Sequence, residues 1–208
     1  MSYAVKEIFL TLQGEGIQAG RRAVFLRFAG CNLWTGRESG RASAICTFCD
    51  TDFVGTDGEN GGRYDVDGLA DRVAELWGSA LRPLVVMTGG EPLLQADPPL
   101  IEALHARGFE VAVETNGTQA APDGLDWICV SPKAGSEVVL RRGDELKLVW
   151  PQPDIDPAAL LEWDFGHFIV QPLDGPHREA SLTAAIHLVM TDPRWRLGLQ
   201  SHKLIGLP

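Results

Sequence analysis

Residues 84–92 read Leu-Val-Val-Met-Thr-Gly-Gly-Glu-Pro, a short apolar run that ends in two glycines and a carboxylate. The run Leu84–Met87 is short, apolar and contains β-branched residues, which is typical of a strand. Glycines at the end of such a strand let the backbone approach a ligand closely, and the neighbouring carboxylate can hold a cationic amino group. This stretch therefore predicts an α/β fold with a ligand site at the carboxyl end of the strand.

Similar apolar runs recur along the chain, separated by segments with helical periodicity. The expected strands are Ala23–Phe28, Leu84–Met87, Glu110–Val113, Trp127–Val130, Glu145–Val149 and His167–Val170. The expected helices are Val66–Trp77, Pro99–Ala106, Pro157–Glu162 and Arg178–Met190. This alternation favours a parallel sheet with crossover helices, curled toward a barrel.

Three local expectations accompany this fold. Ala4–Leu12 is expected to add a hairpin or an edge strand before the first unit. Leu182, Ile186 and Val189 have the spacing of one buried helix face. Gly55–Arg63 is glycine-rich and polar, so we expect an exposed, mobile loop there.

Polar and glycine-rich residues follow five of the expected strands. These groups are the cysteine loop after Phe28, Thr88–Glu91, Glu114–Gly117, Ser131–Lys133 and Gln171–Asp174. Because parallel α/β folds bind ligands at the carboxyl ends of their strands, we expect the five groups to converge on one rim.

Composition narrows the classes of function. The chain has 208 residues, enough for one domain with a substantial core, and a formal net charge of −10. Such an acidic chain repels nucleic acid and anionic membranes at long range, so neither is expected as a partner. No secretory signal and no apolar run of about 20 residues is visible, which favours a cytoplasmic protein.

Three cysteines form the strongest chemical signal. Cys46-Thr47-Phe48-Cys49 is a C-x-x-C pair, and Cys31 precedes it in a C-x14-C-x2-C pattern. Three thiolates can hold a cubane iron–sulfur cluster and leave one iron open for another ligand. The cysteines alone fit a zinc site equally well, with Cys129 or a histidine as the fourth ligand. Cys129 lies in an apolar run and is expected to be a buried small residue.

Three cysteines after the first strand and Gly-Gly-Glu after a later one resemble the radical S-adenosylmethionine superfamily, although its common spacing is C-x3-C-x2-C. Further segments resemble one of its families, the 7-carboxy-7-deazaguanine synthases. They are Phe9–Gly16, Phe25–Phe28, Cys49–Thr51, Thr88–Pro92, Glu114–Gly117, Ser131–Lys133, Asp144–Lys147, Gln171–Asp174 and Leu199–Pro208. These segments are spread from residue 9 to residue 208, so the resemblance extends over nearly the whole chain.

The resemblance implies a single radical S-adenosylmethionine domain over residues 1–208, with a cluster-loop insert at residues 32–45. The expected fold is a partial (β/α)6-type barrel in which some helices are shortened or replaced by loops. It implies a carbon–nitrogen lyase that converts 6-carboxy-5,6,7,8-tetrahydropterin to 7-carboxy-7-deazaguanine with loss of ammonia, in queuosine and 7-deazapurine biosynthesis. The implied partners are a flavodoxin-type electron donor and a second copy of the chain.

The resemblance also implies roles for individual residues. Cys31, Cys46 and Cys49 would hold a 4Fe–4S cluster, and Thr51 would bind Mg²⁺. The positions that would bind S-adenosylmethionine are Gly90, Ser131, Pro132, Lys133, Gln171, Pro172, Leu173 and Asp174. The positions that would bind substrate are Leu12, Gln13, Gly14, Glu15, Arg27, Thr88, Glu114, His202 and Pro208. No side chain is expected to be catalytic, because the cofactor generates the radical.

Each residue also has a simpler interpretation. Arg27 could be an ordinary ion-pair partner, Gln13–Gly16 a hairpin turn, and Thr51 a turn cap. Lys133 and His202 could be solvated surface residues. Two other functions stay open for the chain: a radical activase acting on a partner protein, and a zinc-stabilised binding module without catalysis. The Gln-Gly-Glu-Gly segment and the C-terminal ending argue against the activase, and the binding module leaves Gly-Gly-Glu unexplained.

Overall fold

The computed structural model describes residues 2–207. Its strands are β1 (Tyr3–Leu12), β2 (Arg22–Phe28), β3 (Gly62–Tyr64), β4 (Leu84–Gly89), β5 (Glu110–Thr115), β6 (Trp127–Val130), β7 (Arg142–Trp150), β8 (Asp164–Pro172) and β9 (Trp195–Leu197). Its α-helices are α1 (Val66–Trp77), α2 (Pro98–Ala106), α3 (Pro157–Leu160), α4 (Arg178–Thr191) and α5 (Ser201–Ile205). Two 3-10 helices, Glu38–Ser43 and Pro92–Leu94, complete the set within these residues.

One nine-stranded sheet has the order β3-β1-β2-β4-β5-β6-β7-β8-β9. The strands from β2 onward along this order run parallel, whereas β1 is antiparallel to both β2 and β3. Within residues 2–207, β3 and β9 form the sheet's two edges, so the barrel is open. The connections after β5 and β6 contain no α-helix, and α3 spans only four residues. The expected partial barrel with shortened or missing helices is therefore confirmed.

The two faces of the sheet differ in chemistry because side chains alternate along a strand. On the outer face, apolar residues such as Leu26, Met87 and Val113 pack with α1, α2 and α4 in the main core. On the inner face, a small apolar layer around Leu84 and Val86 lies at the amino ends of the strands. Polar residues follow on that same face toward the carboxyl ends, where they line a cavity.

Two local expectations are corrected. In α4 the most buried residues are Ser181 and Ala185, while Ile186 is 43% exposed, so the expected buried face is wrong at Ile186. The side of α4 that faces the core carries Ser181 and Ala185, with Leu188 and Val189 packed against the same core, so Ile186 lies away from it. The loop expected over Gly55–Arg63 is wrong at its end, because Gly62 and Arg63 pair with β1 in β3. An unpaired β1 edge would leave backbone groups without partners.

The segment Ala4–Leu12 proves to be a long strand, β1, that lies between β2 and the short edge strand β3. No helix among residues 2–207 has both the length and the apolar character to cross a bilayer.

Candidate active site

A cavity of about 410 Å³ opens at the carboxyl ends of the parallel strands. It brings together most of the residues singled out from the sequence. They are Cys31, Cys46, Cys49, Thr51, Gly90, Ser131, Lys133, Gln171, Pro172, Leu173, Asp174, Gln13, Glu15, Arg27, Thr88, Glu114 and His202. The expected convergence of the strand ends is therefore observed.

The cysteine loop forms one wall of this cavity. Cys31 follows β2, and its Sγ lies 3.5 Å from the Leu33 backbone N–H. The Leu33 carbonyl accepts hydrogen bonds from the N–H groups of Ile45 at 3.1 Å and Cys46 at 3.4 Å. These bonds bring the two ends of the insert together, so Cys46 and Cys49 reach the same cavity as Cys31 despite the fourteen residues between Cys31 and Cys46.

Arg41 ties the insert to the Cys46–Cys49 turn. Its Nη1 donates to the carbonyl oxygens of Thr47 at 2.9 Å and Cys49 at 3.0 Å. The guanidinium lies 4.0 Å from the ring centroid of Trp34, which is buried, and pairs with Glu38 at 2.5 Å. Planar guanidinium groups suit such combined stacking and hydrogen bonding. The insert is therefore a support for the cysteine turn.

The surroundings of the three cysteines shift the pKa values of their thiols. A hydrogen bond between Cys46 and Cys49 lowers the pKa of Cys49 to about 6 and raises the pKa of Cys46. Burial raises the pKa of Cys31. A thiolate at Cys49 is thus present at neutral pH, and the thiolate is the form that binds metal.

The structure separates Cys129 from the three cysteines of the cavity wall. Within residues 2–207, no group of three or more His, Cys, Asp or Glu side chains is placed to hold one metal ion. Zinc requires its ligands around a single ion, whereas the cysteines of an iron–sulfur cluster bind different irons. Cys129 is buried away from the cavity, with its Sγ 3.5 Å from Glu145 Oε1, so it is no fourth ligand in this arrangement.

The Gly-Gly-Glu segment acts differently from the sequence expectation. Gly90 lies against the cysteine loop so closely that a Cβ there would fall 2.1 Å from the Gly30 carbonyl oxygen. Glu91 is fully buried, and its carboxylate accepts hydrogen bonds from Thr115 Oγ1 at 2.6 Å and the Asn116 N–H at 2.8 Å. The idea that this carboxylate holds a cationic amino group is therefore wrong: Glu91 joins β4 to β5, and the cavity is lined by Gly89 and Gly90.

The ends of β6 and β8 contribute further polar atoms. Lys133 Nζ turns inward and donates to the carbonyl and Oγ of Ser131, both at 2.7 Å, and burial lowers the pKa of Lys133. Gln171 is 4% exposed, and its Oε1 is buried without a hydrogen-bond partner. Because buried acceptors are nearly always paired, this oxygen at the cavity wall is suited to a ligand donor.

Another part of the cavity wall carries carboxylates and amides. Gln13 Nε2 donates to Glu114 at 2.7 Å, and Arg27 Nε donates to Glu7 at 2.7 Å. Thr88 lies beside Arg27 in the β2–β4 register. Arg27 is thus an ion-pair partner, as the simpler interpretation held, and it lines the cavity at the same time.

Three of the predicted residues that the structure describes do not line the cavity. Leu12 ends β1, and Pro132 is buried with its carbonyl accepting from Gln152 at 3.3 Å. Gly14 touches His202, where a Cβ would lie 2.1 Å from Nδ1. Pro208 lies outside the described residues.

Several lining residues were not singled out from the sequence. The main ones are Glu7, Phe9, Trp34, Lys147, Gln200 and Lys203. Side chains alternate between the two faces of a strand, so Glu7 and Phe9 lie on the same side as Gln13, and Lys147 lies on the same side as Glu145. This alternation could have identified the three residues from the sequence. Gln200 and Lys203 belong to the matching segment Leu199–Pro208, but their place in the cavity wall depends on how the chain around α5 packs in the tertiary fold.

An open parallel barrel with three cysteines at its carboxyl rim defines the class of a radical S-adenosylmethionine enzyme. The family model of the Radical SAM superfamily matches residues 40–145. The match begins inside the insert and so excludes Cys31, which is where the spacing departs from the common pattern.

Full-length relatives narrow this class, and the chain belongs to the 7-carboxy-7-deazaguanine synthase family. It is 61% identical to the 7-carboxy-7-deazaguanine synthase of Bordetella pertussis and 62% identical to that of Bradyrhizobium diazoefficiens, with 100% of each chain covered. The crystal structure of QueE from Escherichia coli matches with a TM-score of 0.70 at 26% identity, covering 97% of this chain and 95% of that one.

The superfamily implies a 4Fe–4S cluster and S-adenosylmethionine, and the residues present fit both. Cys31, Cys46 and Cys49 are free cysteines on the cavity wall and would supply soft sulfur ligands to a cluster. The unpaired Gln171 oxygen and the close approach at Gly90 suit a ligand next to that wall. When bound, these groups supply a 5′-deoxyadenosyl radical that abstracts hydrogen from substrate.

Proposed function

We propose that this chain converts 6-carboxy-5,6,7,8-tetrahydropterin to 7-carboxy-7-deazaguanine with loss of ammonia. The observation that carries the proposal is one cavity that is lined both by the three cysteines and by the acceptor groups of Gln13, Glu15 and Glu114. A pterin presents adjacent amino and ring N–H donors, which carboxylates accept well. Substrate minus ammonia has the composition of product, so the conversion needs no net oxidant, and S-adenosylmethionine can be regenerated.

The proposed roles follow the geometry. Cys31, Cys46 and Cys49 hold the cluster, while Gly90, Ser131, Lys133, Gln171 and Asp174 surround S-adenosylmethionine. Gln13, Glu15 and Glu114 orient the pterin edge. The Arg27 guanidinium, fixed by Glu7, has further N–H donors for the substrate carboxylate. This work of binding and orientation is what the protein contributes to cofactor chemistry.

The direct test is product identification. After anaerobic reconstitution we expect a brown protein with about four irons per chain. Turnover with the tetrahydropterin should give 7-carboxy-7-deazaguanine by mass spectrometry. A colourless protein with stoichiometric zinc would contradict the radical chemistry, and a brown protein that cleaves the cofactor but makes no deazaguanine would contradict the substrate.

A magnesium ion is proposed at Thr51, which lines the cavity between Asp50 and Asp52. Mg²⁺ keeps several waters and needs few protein ligands, so one hydroxyl plus substrate oxygens suffices. Thr51→Ala should weaken the dependence of turnover on Mg²⁺ while leaving iron content unchanged. Equal magnesium dependence in both proteins would remove Thr51 from the site.

The remaining proposals concern the setting. One nine-stranded sheet runs from β1 to β9, which supports a single domain over residues 1–208 with the insert at 32–45. A flavodoxin-type donor, a homodimer and a cytoplasmic location are proposed from the family resemblance. The exposed apolar residues of α4 and the C-terminal segment support the homodimer.

A further inference from the structure

Lys147, in the segment Asp144–Lys147, has no part in the proposed function described above. Alternation along β7 turns Lys147 toward the cavity, while Leu146 and Leu148 join the outer core. Lys147 is 4% exposed, which is rare for lysine and is tolerated only with charged partners.

Two carboxylates partner the buried ammonium group. Lys147 Nζ lies 2.5 Å from Glu15 Oε2 and 2.6 Å from Glu114 Oε2. The remaining oxygens are also fixed, because Gln200 Nε2 donates to Glu15 Oε1 at 2.9 Å and Gln13 Nε2 donates to Glu114 Oε1 at 2.7 Å. All four oxygens therefore accept hydrogen bonds from protein, and each keeps a lone pair for a ligand.

The positive charge of Lys147 keeps the buried carboxylate of Glu15 ionised. Burial would raise the pKa of Glu15, but the charge and hydrogen bond of Lys147, with Gln200, lower that pKa to about 2. Burial would lower the pKa of Lys147, but Glu114 and Glu15 raise it well above the ordinary value. Without the cation, two carboxylates would share a poorly solvated wall, and one of them would take up a proton.

We propose that Lys147 is a positioning residue that keeps Glu15 and Glu114 together as acceptors for the donor edge of the substrate. The inference rests on the proposed function, because the pterin supplies that edge. Without Lys147, one carboxyl group would be protonated, and its O–H would face an N–H donor of the substrate instead of accepting a hydrogen bond from it. Loss of Lys147 would therefore weaken substrate binding. Radical formation at the cysteine wall would be unaffected.

The first variant is Lys147→Met, which removes the charge at similar length. The KM for the tetrahydropterin should rise about 10- to 100-fold, in line with one mismatched buried hydrogen bond, while kcat falls less. Anaerobic equilibrium dialysis of 7-carboxy-7-deazaguanine should show a matching loss of affinity without turnover. Iron content and the circular dichroism spectrum should equal those of the wild type.

The pH profile separates positioning from a merely structural role. In the wild type the pKa of Glu15 is about 2 and the pKa of Lys147 is raised well above its ordinary value, so these two groups add no pH dependence between roughly pH 6 and 8. Glu145 and His202, which also face this pair, are present in both proteins and do not enter the comparison of variant with wild type. In Lys147→Met we expect one of the two carboxyl groups to have a raised pKa. As the pH rises, this group loses its proton and can again accept a hydrogen bond from the substrate. The ratio of variant to wild-type KM should therefore fall with increasing pH.

Three comparisons complete the test. Lys147→Arg keeps the charge and should recover part of the affinity. Lys147→Met and Glu114→Gln should have non-additive effects, because Lys147 acts through Glu114. Arg196→Met removes an exposed cation from β9 and should change nothing. If Lys147→Met does not fold, Lys147→Gln repeats the test, since a neutral amide cannot compensate two carboxylates.

The outcomes are distinguishable. If the wild type makes no deazaguanine, the proposed function fails before Lys147 is tested. If the wild type is active but Lys147→Met has an unchanged KM, a flat pH ratio or strictly additive coupling to Glu114→Gln, the role of Lys147 is overturned.

Discussion

Cys46 and Cys129 are both buried cysteines, yet their sulfur atoms have different surroundings. Cys46 faces the cavity beside Cys49, whereas Cys129 faces Glu145 beneath it. We expect Cys46→Ala to reduce the iron content from about four per chain to nearly none, because two cysteines hold a cubane iron–sulfur cluster poorly. Cys129→Ala should keep the iron, as measured by iron assay and visible absorbance after reconstitution.

The two cysteine variants have the same chemistry and similar burial, so each is the control for the other. Retention of iron in Cys46→Ala together with its loss in Cys129→Ala would mean that the ligand set includes Cys129. That result would bring back the zinc-like arrangement that the sequence alone allows.

At the scale of elements, the insert at residues 32–45 is held to the cysteine turn mainly through Arg41. Arg41→Ala removes two hydrogen bonds to carbonyl oxygens and the stacking on Trp34. The Cys46–Cys49 turn should then open more often, and a chelator should bleach the cluster several-fold faster than in the wild type. Arg41→Lys should lie between the two, because lysine lacks the planar fork.

Arg37→Ala is the matched control, since Arg37 is an exposed arginine on the same insert whose backbone carbonyl, not its side chain, accepts from Trp34. Equal bleaching rates for Arg37→Ala and Arg41→Ala would show that the insert does not support the turn.

The helices and strands predicted best from the sequence have capping residues that mark where they begin and end. Helix α1 has both predicted bounds, because Asp65 caps its first turn by accepting from Gly68 N–H and Gly78 ends it with a positive φ. Strand β9 and helix α5 were not predicted, because three and five residues carry too little periodicity. The cysteine wall could be predicted from spacing, whereas the contacts of Lys147 and Gln200 depend on strands and helices far apart in sequence.

At the scale of the whole molecule, more than half of the exposed large apolar side chains of residues 2–207 lie between Ile186 and Leu207. Met190 on α4 is 80% exposed, and Leu182, Leu199 and Leu204 line a nearby hollow of about 90 Å³. A second copy of the chain would remove this face from water. Met190→Asp should therefore weaken dimerisation by more than about 100-fold, because it buries an unpaired carboxylate.

Sedimentation velocity over a concentration series measures the effect on dimerisation. Leu81→Asp is the control, because Leu81 is 90% exposed next to α1, outside this face. A wild type that is monomeric at all concentrations, or a Met190→Asp dimer as tight as the wild type, would contradict the interface.

The C-terminal segment finishes the cavity begun by the N-terminal one. Ser201 N–H donates to the Gly14 carbonyl, Gln200 holds Glu15, and Lys203 Nζ spans Asp50 and Asp174 at 2.7 Å each. These residues follow every strand of the sheet in the sequence, so they leave the ribosome after the strands do. A chain that stopped after β9 would therefore have the strands of the barrel but an unfinished substrate wall, so the cavity could take its ligand only once Gln200, Ser201 and Lys203 had been made.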